Sequence, residues 1–166
     1  MIRPKHREFS VPSDTAYLGN IRNSVLELVG HGIFPPGVAQ LLALAVDEAV
    51  ANIMEHGYTD HAGKEAKEIQ VVLDVAPQRF EVRILDTGRA FNPTLVPDVD
   101  IQEHVRTGRR GGLGLYLIRQ IMDEIHYSLK SGARNELHMI KYIDNPPRKA
   151  RSDQSAGKKG VQGKCP

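Results

Sequence analysis

At 166 residues, with 40% hydrophobic and 25% charged side chains and a formal charge of +2, the chain can build one globular domain with a real core and has no room for two comfortable ones. The stretch from Asn145 onward carries Arg148, Lys149, Arg151, Lys158, Lys159 and Lys164 against Asp153 alone, so the body before it is net acidic, which argues against a nucleic-acid binder. A lone cysteine, Cys165, excludes an internal disulfide and a Cys-based zinc site, and neither a signal-peptide core nor an apolar run near the roughly 18 residues of a membrane span is present, so a cytoplasmic protein with no membrane partner is expected.

Residues 7–12 alternate Phe9 and Val11 and read as a short strand that Pro12 ends or confines to an edge. Ser13 and Asp14 are good caps, and Tyr17, Leu18, Ile21, Val25, Leu28 and Val29 recur at helical spacing toward Gly30, which predicts a first helix. After Phe34-Pro-Pro-Gly37 the longest helix of the chain runs to Gly57. Residues 58–67 are a polar loop, and 69–75 and 80–85 are strands close enough to form an antiparallel hairpin. Between Asp86 and Gly112 the periodicity largely disappears, and a loop of that length inside a compact domain is usually functional. Helical spacing returns over 113–122, followed by strands at 125–129 and 137–143 around a Ser131-Gly132 turn.

That order predicts an α+β fold in two layers, with helices on one face of a mixed, mostly antiparallel sheet. Residues 1–144 make up the domain. Beyond Asn145-Pro-Pro almost nothing is apolar, and such a segment cannot offset an ordering cost of about 1–2 kcal/mol per residue, so 145–166 reads as a flexible basic tail.

Three polar features stand out. In the long helix, Val46, Ala49, Val50 and Ile53 mark an apolar back, while Glu48, Asn52 and His56 stack at i, i+4 and i+8. That row is an ordinary surface stripe or, if buried, a group that needs partners. Asp86-Thr87-Gly88 closes a strand, where a carboxylate meets the exposed strand end and glycine admits a ligand close to the backbone. Gly111-Gly112-Leu113-Gly114-Leu115 runs into a helix whose first N–H groups and positive dipole end suit a phosphate. Each alone is common in turns and surfaces. The glycine run is neither a P-loop, having no Gly-Lys-Ser/Thr, nor a dinucleotide fingerprint, having no strand opening directly into it.

Taken in order and with their separations, the three features resemble the GHKL ATPases, the group that includes gyrase, the ninety-kilodalton heat-shock chaperone and the sensor histidine kinases. Asp47-Glu-Ala-Val-Ala-Asn52 with His56-Gly-Tyr58, and Gly111-Gly-Leu-Gly-Leu-Tyr-Leu-Ile118 with Met122-Asp-Glu, are most similar to the small bacterial anti-sigma-factor serine/threonine kinases. The resemblance covers roughly residues 7–143 and implies the Bergerat-type ATP-binding fold, a two-layer sandwich. It implies ATP and Mg²⁺ as ligands, with Asn52 on the metal, Asp86 accepting from the adenine amino group beside Gly88, and Glu48 as general base toward a protein serine. The amides near Gly112 and Gly114 would hold phosphate oxygens with His56 flanking them, Arg110, Gly111, Leu113 and Leu115 would complete the nucleotide site, and 89–110 would be the family's mobile lid, in which Arg106, Arg109 and Arg110 are the cations best placed for phosphate. The implied partners are an anti-anti-sigma factor of the STAS type and a sigma factor, with no direct nucleic-acid contact, and members commonly form homodimers. In sigma-binding members an arginine of the first helix touches the sigma factor; that place holds Asn20 here, with Arg22 two positions on.

Two other readings stay open on sequence. One is a non-catalytic, ATP-gated protein-binding module in which nucleotide only sets partner affinity. The other has the basic tail act on nucleic acid in a salt-sensitive way.

Overall fold

The computed structural model describes residues 3–30, 33–35, 37–58, 67–107, 112–130 and 134–143. Five strands form one sheet: β1 (Lys5–Pro12), β2 (Glu68–Ala76), β3 (Arg79–Asp86), β4 (Glu124–Lys130) and β5 (Arg134–Tyr142), in the order β1-β2-β3-β5-β4. Every ladder is antiparallel, so the expected mixed sheet contains no parallel pair among the described residues. Two ladders join consecutive strands, β2 and β3 through Pro77-Gln78 alone and β4 and β5 through three residues, and connections that short permit only antiparallel pairing; β3 and β4 point the same way, but β5 lies between them.

Alternation sets the two faces. On β3, Phe80, Val82 and Ile84 are fully buried, and their cross-strand neighbours Val75, Leu73 and Val71 on β2 are buried too. Helices α1 (Leu18–Val29) and α2 (Val38–Gly57) pack on that face, with Ile21, Val25, Val46, Ala49 and Val50 in one cluster with the strand residues. The predicted apolar back of the long helix is thus core. Fully burying a chain of the size of Val, Ile or Phe stabilises by about 1.5–3 kcal/mol each, which is why these two elements anchor the domain.

The segment between β3 and the last helix is less bare than its sequence suggests. Pro93–Leu95 makes one 3₁₀ turn capped by Asn92, whose Oδ1 accepts from the Thr94 amide at 2.9 Å, and Ile101–Thr107 forms a short helix, α3. Asp100 starts α3, its Oδ1 accepting from the Glu103 amide at 3.1 Å. Seven residues are too few to display a helical period, so the sequence reads there as loop. Helix α4 (Gly114–Ile121) follows. The predicted Ser131-Gly132 turn, most of the 58–67 loop and the tail lie outside the described residues. Among those described, no helix is long and apolar enough to cross a membrane.

Candidate functional site

The period of two that buries Phe80, Val82 and Ile84 carries Asp86 to the same helix-covered side at the end of β3. Directly opposite it in the β3–β5 ladder stands Asn135, also buried. Asn135 Nδ2 donates to Asp86 Oδ1 at 2.9 Å and to the Gly88 carbonyl at 3.1 Å, and its Oδ1 accepts from the Tyr127 hydroxyl at 3.1 Å. The Gly88 amide also donates to Asp86 Oδ1, at 2.7 Å. Among the described residues these bonds all fall on Oδ1, so the second carboxylate oxygen keeps its lone pairs for another donor. Burial first, and then the Asp86 charge, push the hydroxyls of Tyr58 and Tyr127 above the usual tyrosine range, which keeps both protonated.

Glycine is obligatory beside that aspartate. A Cβ on Gly88 would stand 2.7 Å from the Gly57 carbonyl oxygen, the same atom that accepts from the Arg89 amide at 2.8 Å. The end of α2 is therefore tied to the chain leaving β3 by backbone against backbone.

Gly114 closes the other side. It opens α4, and a Cβ there would collide with the Glu48 carboxylate and lie 3.2 Å from Asn52 Nδ2. The polar row of α2 thus meets the first turn of α4, where unpaired N–H groups and the positive end of the helix dipole attract anions. Asn52 Nδ2 is buried with no hydrogen-bond partner, so this amide has surrendered water and received nothing in exchange from the described residues. Between the two pieces lies a cavity of about 210 Å³, with Asn52 and Asp86 among its polar groups and Ile53, Ile118 and Met122 among its apolar ones. A mostly apolar hollow with a few convergent polar groups is what a heterocycle with a charged appendage requires.

The other predicted residues divide. Leu115 lines this cavity, and Leu113 caps α4. Gly112 lines a separate hollow with Asp98, Asp100 and Glu103. His56 is exposed, its ring 4.7 Å from that of Phe91, and only Phe91 reaches the cavity wall. Arg106 pairs with Glu103 at 2.7 Å within α3, while Arg109, Arg110 and Gly111 lie outside the described residues.

Residues 11–141 match the model of the histidine kinase-like ATPase domain. The chain belongs to the histidine kinase-like ATPase family. Within it, the chain is similar to the serine-protein kinase RsbW of Bacillus mycoides, at 30% identity over 140 residues that cover 82% of this chain and 84% of that one. The RsbW of Bacillus cereus is 29% identical with the same coverage. Among solved structures, the chain carrying the RsbU and RsbW domains of a Mycobacterium tuberculosis protein shares the fold, with a TM-score of 0.54 and 16% identity, covering 88% of this chain and 34% of that one.

For a histidine kinase-like ATPase, sequence reading of this chain misses two residues. Asn135 escapes because the predicted last strand begins at Leu137; extending the alternation Leu137, Met139, Lys141 backward by one step reaches it. Arg119 escapes because an arginine on a short amphipathic helix has no distinguishing spacing.

Proposed function

We propose that this chain is an ATP-dependent protein serine/threonine kinase and anti-sigma regulator, which phosphorylates an anti-anti-sigma antagonist and, when not so engaged, sequesters a sigma factor. One observation carries the reading: Glu48 and Asn52 of α2 converge on Gly114 at the start of α4, beside a cavity that Asp86 helps to line. The serine-protein kinase relatives support it.

In this reading the free Asp86 oxygen accepts from the adenine amino group, and the apolar wall takes the ring. The first amides of α4 receive phosphate oxygens. Glu48 takes the proton of the incoming serine hydroxyl while that oxygen bonds to the γ-phosphorus and the bond to the β–γ bridging oxygen breaks, leaving phosphoserine and ADP. Mg²⁺ fits the donors present: the partnerless Asn52 amide can turn to present its oxygen, and among the described residues no group of three or more His, Cys, Asp or Glu could cage an ion. A cation that keeps waters and phosphate oxygens needs no more, and when bound it would neutralise charge on the phosphates.

The partner-facing side of the reading involves α1. Asn20 and Arg22 are both exposed there, and Arg22 Nε donates to the buried Asp47 at 2.6 Å, which fixes the guanidinium at the surface.

Incubation of the full chain with Mg-ATP and STAS-type candidate antagonists is expected to transfer phosphate to a serine, and Glu48→Gln to lower the rate by about 10²–10⁴-fold while ATP still binds. Transfer that survives Glu48→Gln would refute the base assignment. Binding of ATP without transfer to any antagonist would favour the gated binding module.

A further inference from the structure

Arg119 lies on α4, away from the phosphate end of that helix, and its side chain is only 17% exposed. One guanidinium makes three contacts on a single stretch of chain: it donates to the Pro93 carbonyl at 2.8 Å, to the Val96 carbonyl, and to the Asp98 carboxylate. The two carbonyls belong to the first residue of the 3₁₀ turn that follows β3 and to the residue just after that turn, where no ladder satisfies them. Five N–H donors in a rigid planar fork are what such a job requires, and lysine, a single flexible point, cannot duplicate it. Pro93, Thr94 and Arg119 itself line the same cavity as Asp86.

We propose that Arg119 is a positioning residue for nucleotide binding: by tying Pro93, Val96 and Asp98 to α4 it holds the wall of the cavity against which the base lies, and so sets affinity for the base rather than the rate of phosphoryl transfer. The proposal rests on the nucleotide reading above. It follows from where the tie is made. Nothing Arg119 touches belongs to the Glu48–Asn52–Gly114 corner, so loosening it opens the base end and leaves the corner in place. Asp98 is largely exposed, and its ion pair is screened, so the two part-buried carbonyl bonds do most of the holding.

The test compares wild type, Arg119→Lys, Arg119→Ala and Asp98→Asn as full chains. ATP and adenosine binding are followed by calorimetry, kcat and KM by transfer assay, and opening of residues 93–98 by hydrogen exchange without nucleotide. Arg119→Ala is expected to weaken ATP and adenosine by the same factor, about tenfold, to raise KM for ATP in parallel with a far smaller change in kcat, and to speed exchange at 93–98. Arg119→Lys should fall between, and Asp98→Asn should cost about threefold or less. Three results would overturn the proposal: unchanged affinity in Arg119→Ala, a loss in kcat at constant KM, or ATP weakened while adenosine is not, which would make Arg119 a phosphate-binding cation. A wild type that ignores ATP would instead defeat the nucleotide reading, and the exchange measurement would still report whether the tie exists.

Discussion

Two regions meet at the cavity and are built differently. On one side stand α2 and β3, whose Ala49, Val50, Val82 and Ile84 are fully buried and whose polar groups, Asn52 and Asp86, are held by regular structure. On the other stands the stretch from Phe91 to Asp98, a 3₁₀ turn and extended chain held by the His56–Phe91 ring contact and the Arg119 fork. The first half is rigid because close packing leaves it nowhere to go. The second is cheap to rearrange because few apolar contacts oppose its opening, and binding loops are drawn from that low-stability end. A site that straddles the two can hold chemical groups fixed on one wall while the other adjusts to a ligand.

The contrast is sharpest in stability. Phe80→Ala, at the centre of the packed half, is expected to cost about 3–5 kcal/mol, read as a lower midpoint in urea, whereas Leu95→Ala, at a side chain 79% exposed in the loose half, should stay within about 0.5 kcal/mol. Similar losses from the two would mean the segment after β3 is as tightly packed as the core. Next in size is Asn135→Leu, which strips Asp86 and Gly88 of a shared donor and leaves Tyr127 without its acceptor. A buried group left unpaired costs about 1–3 kcal/mol, and ATP affinity should fall with stability because Asp86 loses its fixed orientation. Stability lost with affinity intact would separate Asn135 from the site.

Asp47→Asn has a smaller effect than the core and Asn135 variants, and its size depends on pH. Burial, opposed by the Arg22 bond, raises the Asp47 carboxyl above its ordinary 3.8, so the folded state holds the proton more tightly than the unfolded one. Its contribution is complete below pH 3.8 and is lost as pH climbs through the raised value. The asparagine variant should therefore gain on wild type between pH 4 and pH 7, by about 1 kcal/mol or less, in melting temperature measured at both. A relative loss at pH 7 would show that Arg22 outweighs burial.

How much of this was readable without coordinates follows from the range of each interaction. Helix α2 and the β2–β3 hairpin were legible because long periodic runs with a short turn leave one arrangement, and Glu48 with Asn52 because four residues is a local distance. That both meet Gly114 was not written locally, since the contact joins positions more than sixty apart and only packing makes it. His56, at the i+8 step, stands apart for a geometric reason: eight residues at 3.6 per turn drift by about 80°, and its exposed ring lies against Phe91. Helix α3 was too short to show its period, and Asn135 sat one alternation before the strand start that the apolar residues mark.

The account stands or falls on whether the Asp86 side of the cavity takes an adenine nucleotide. Calorimetric titration of Mg-ATP into the full chain, wild type beside Asp86→Asn, tests that directly. The expected result is one ATP bound per chain by wild type and at least tenfold weaker binding by the variant, with both equally folded by circular dichroism. A folded wild type that gives no binding heat at any temperature tried, or a variant that binds as tightly as wild type, would contradict it.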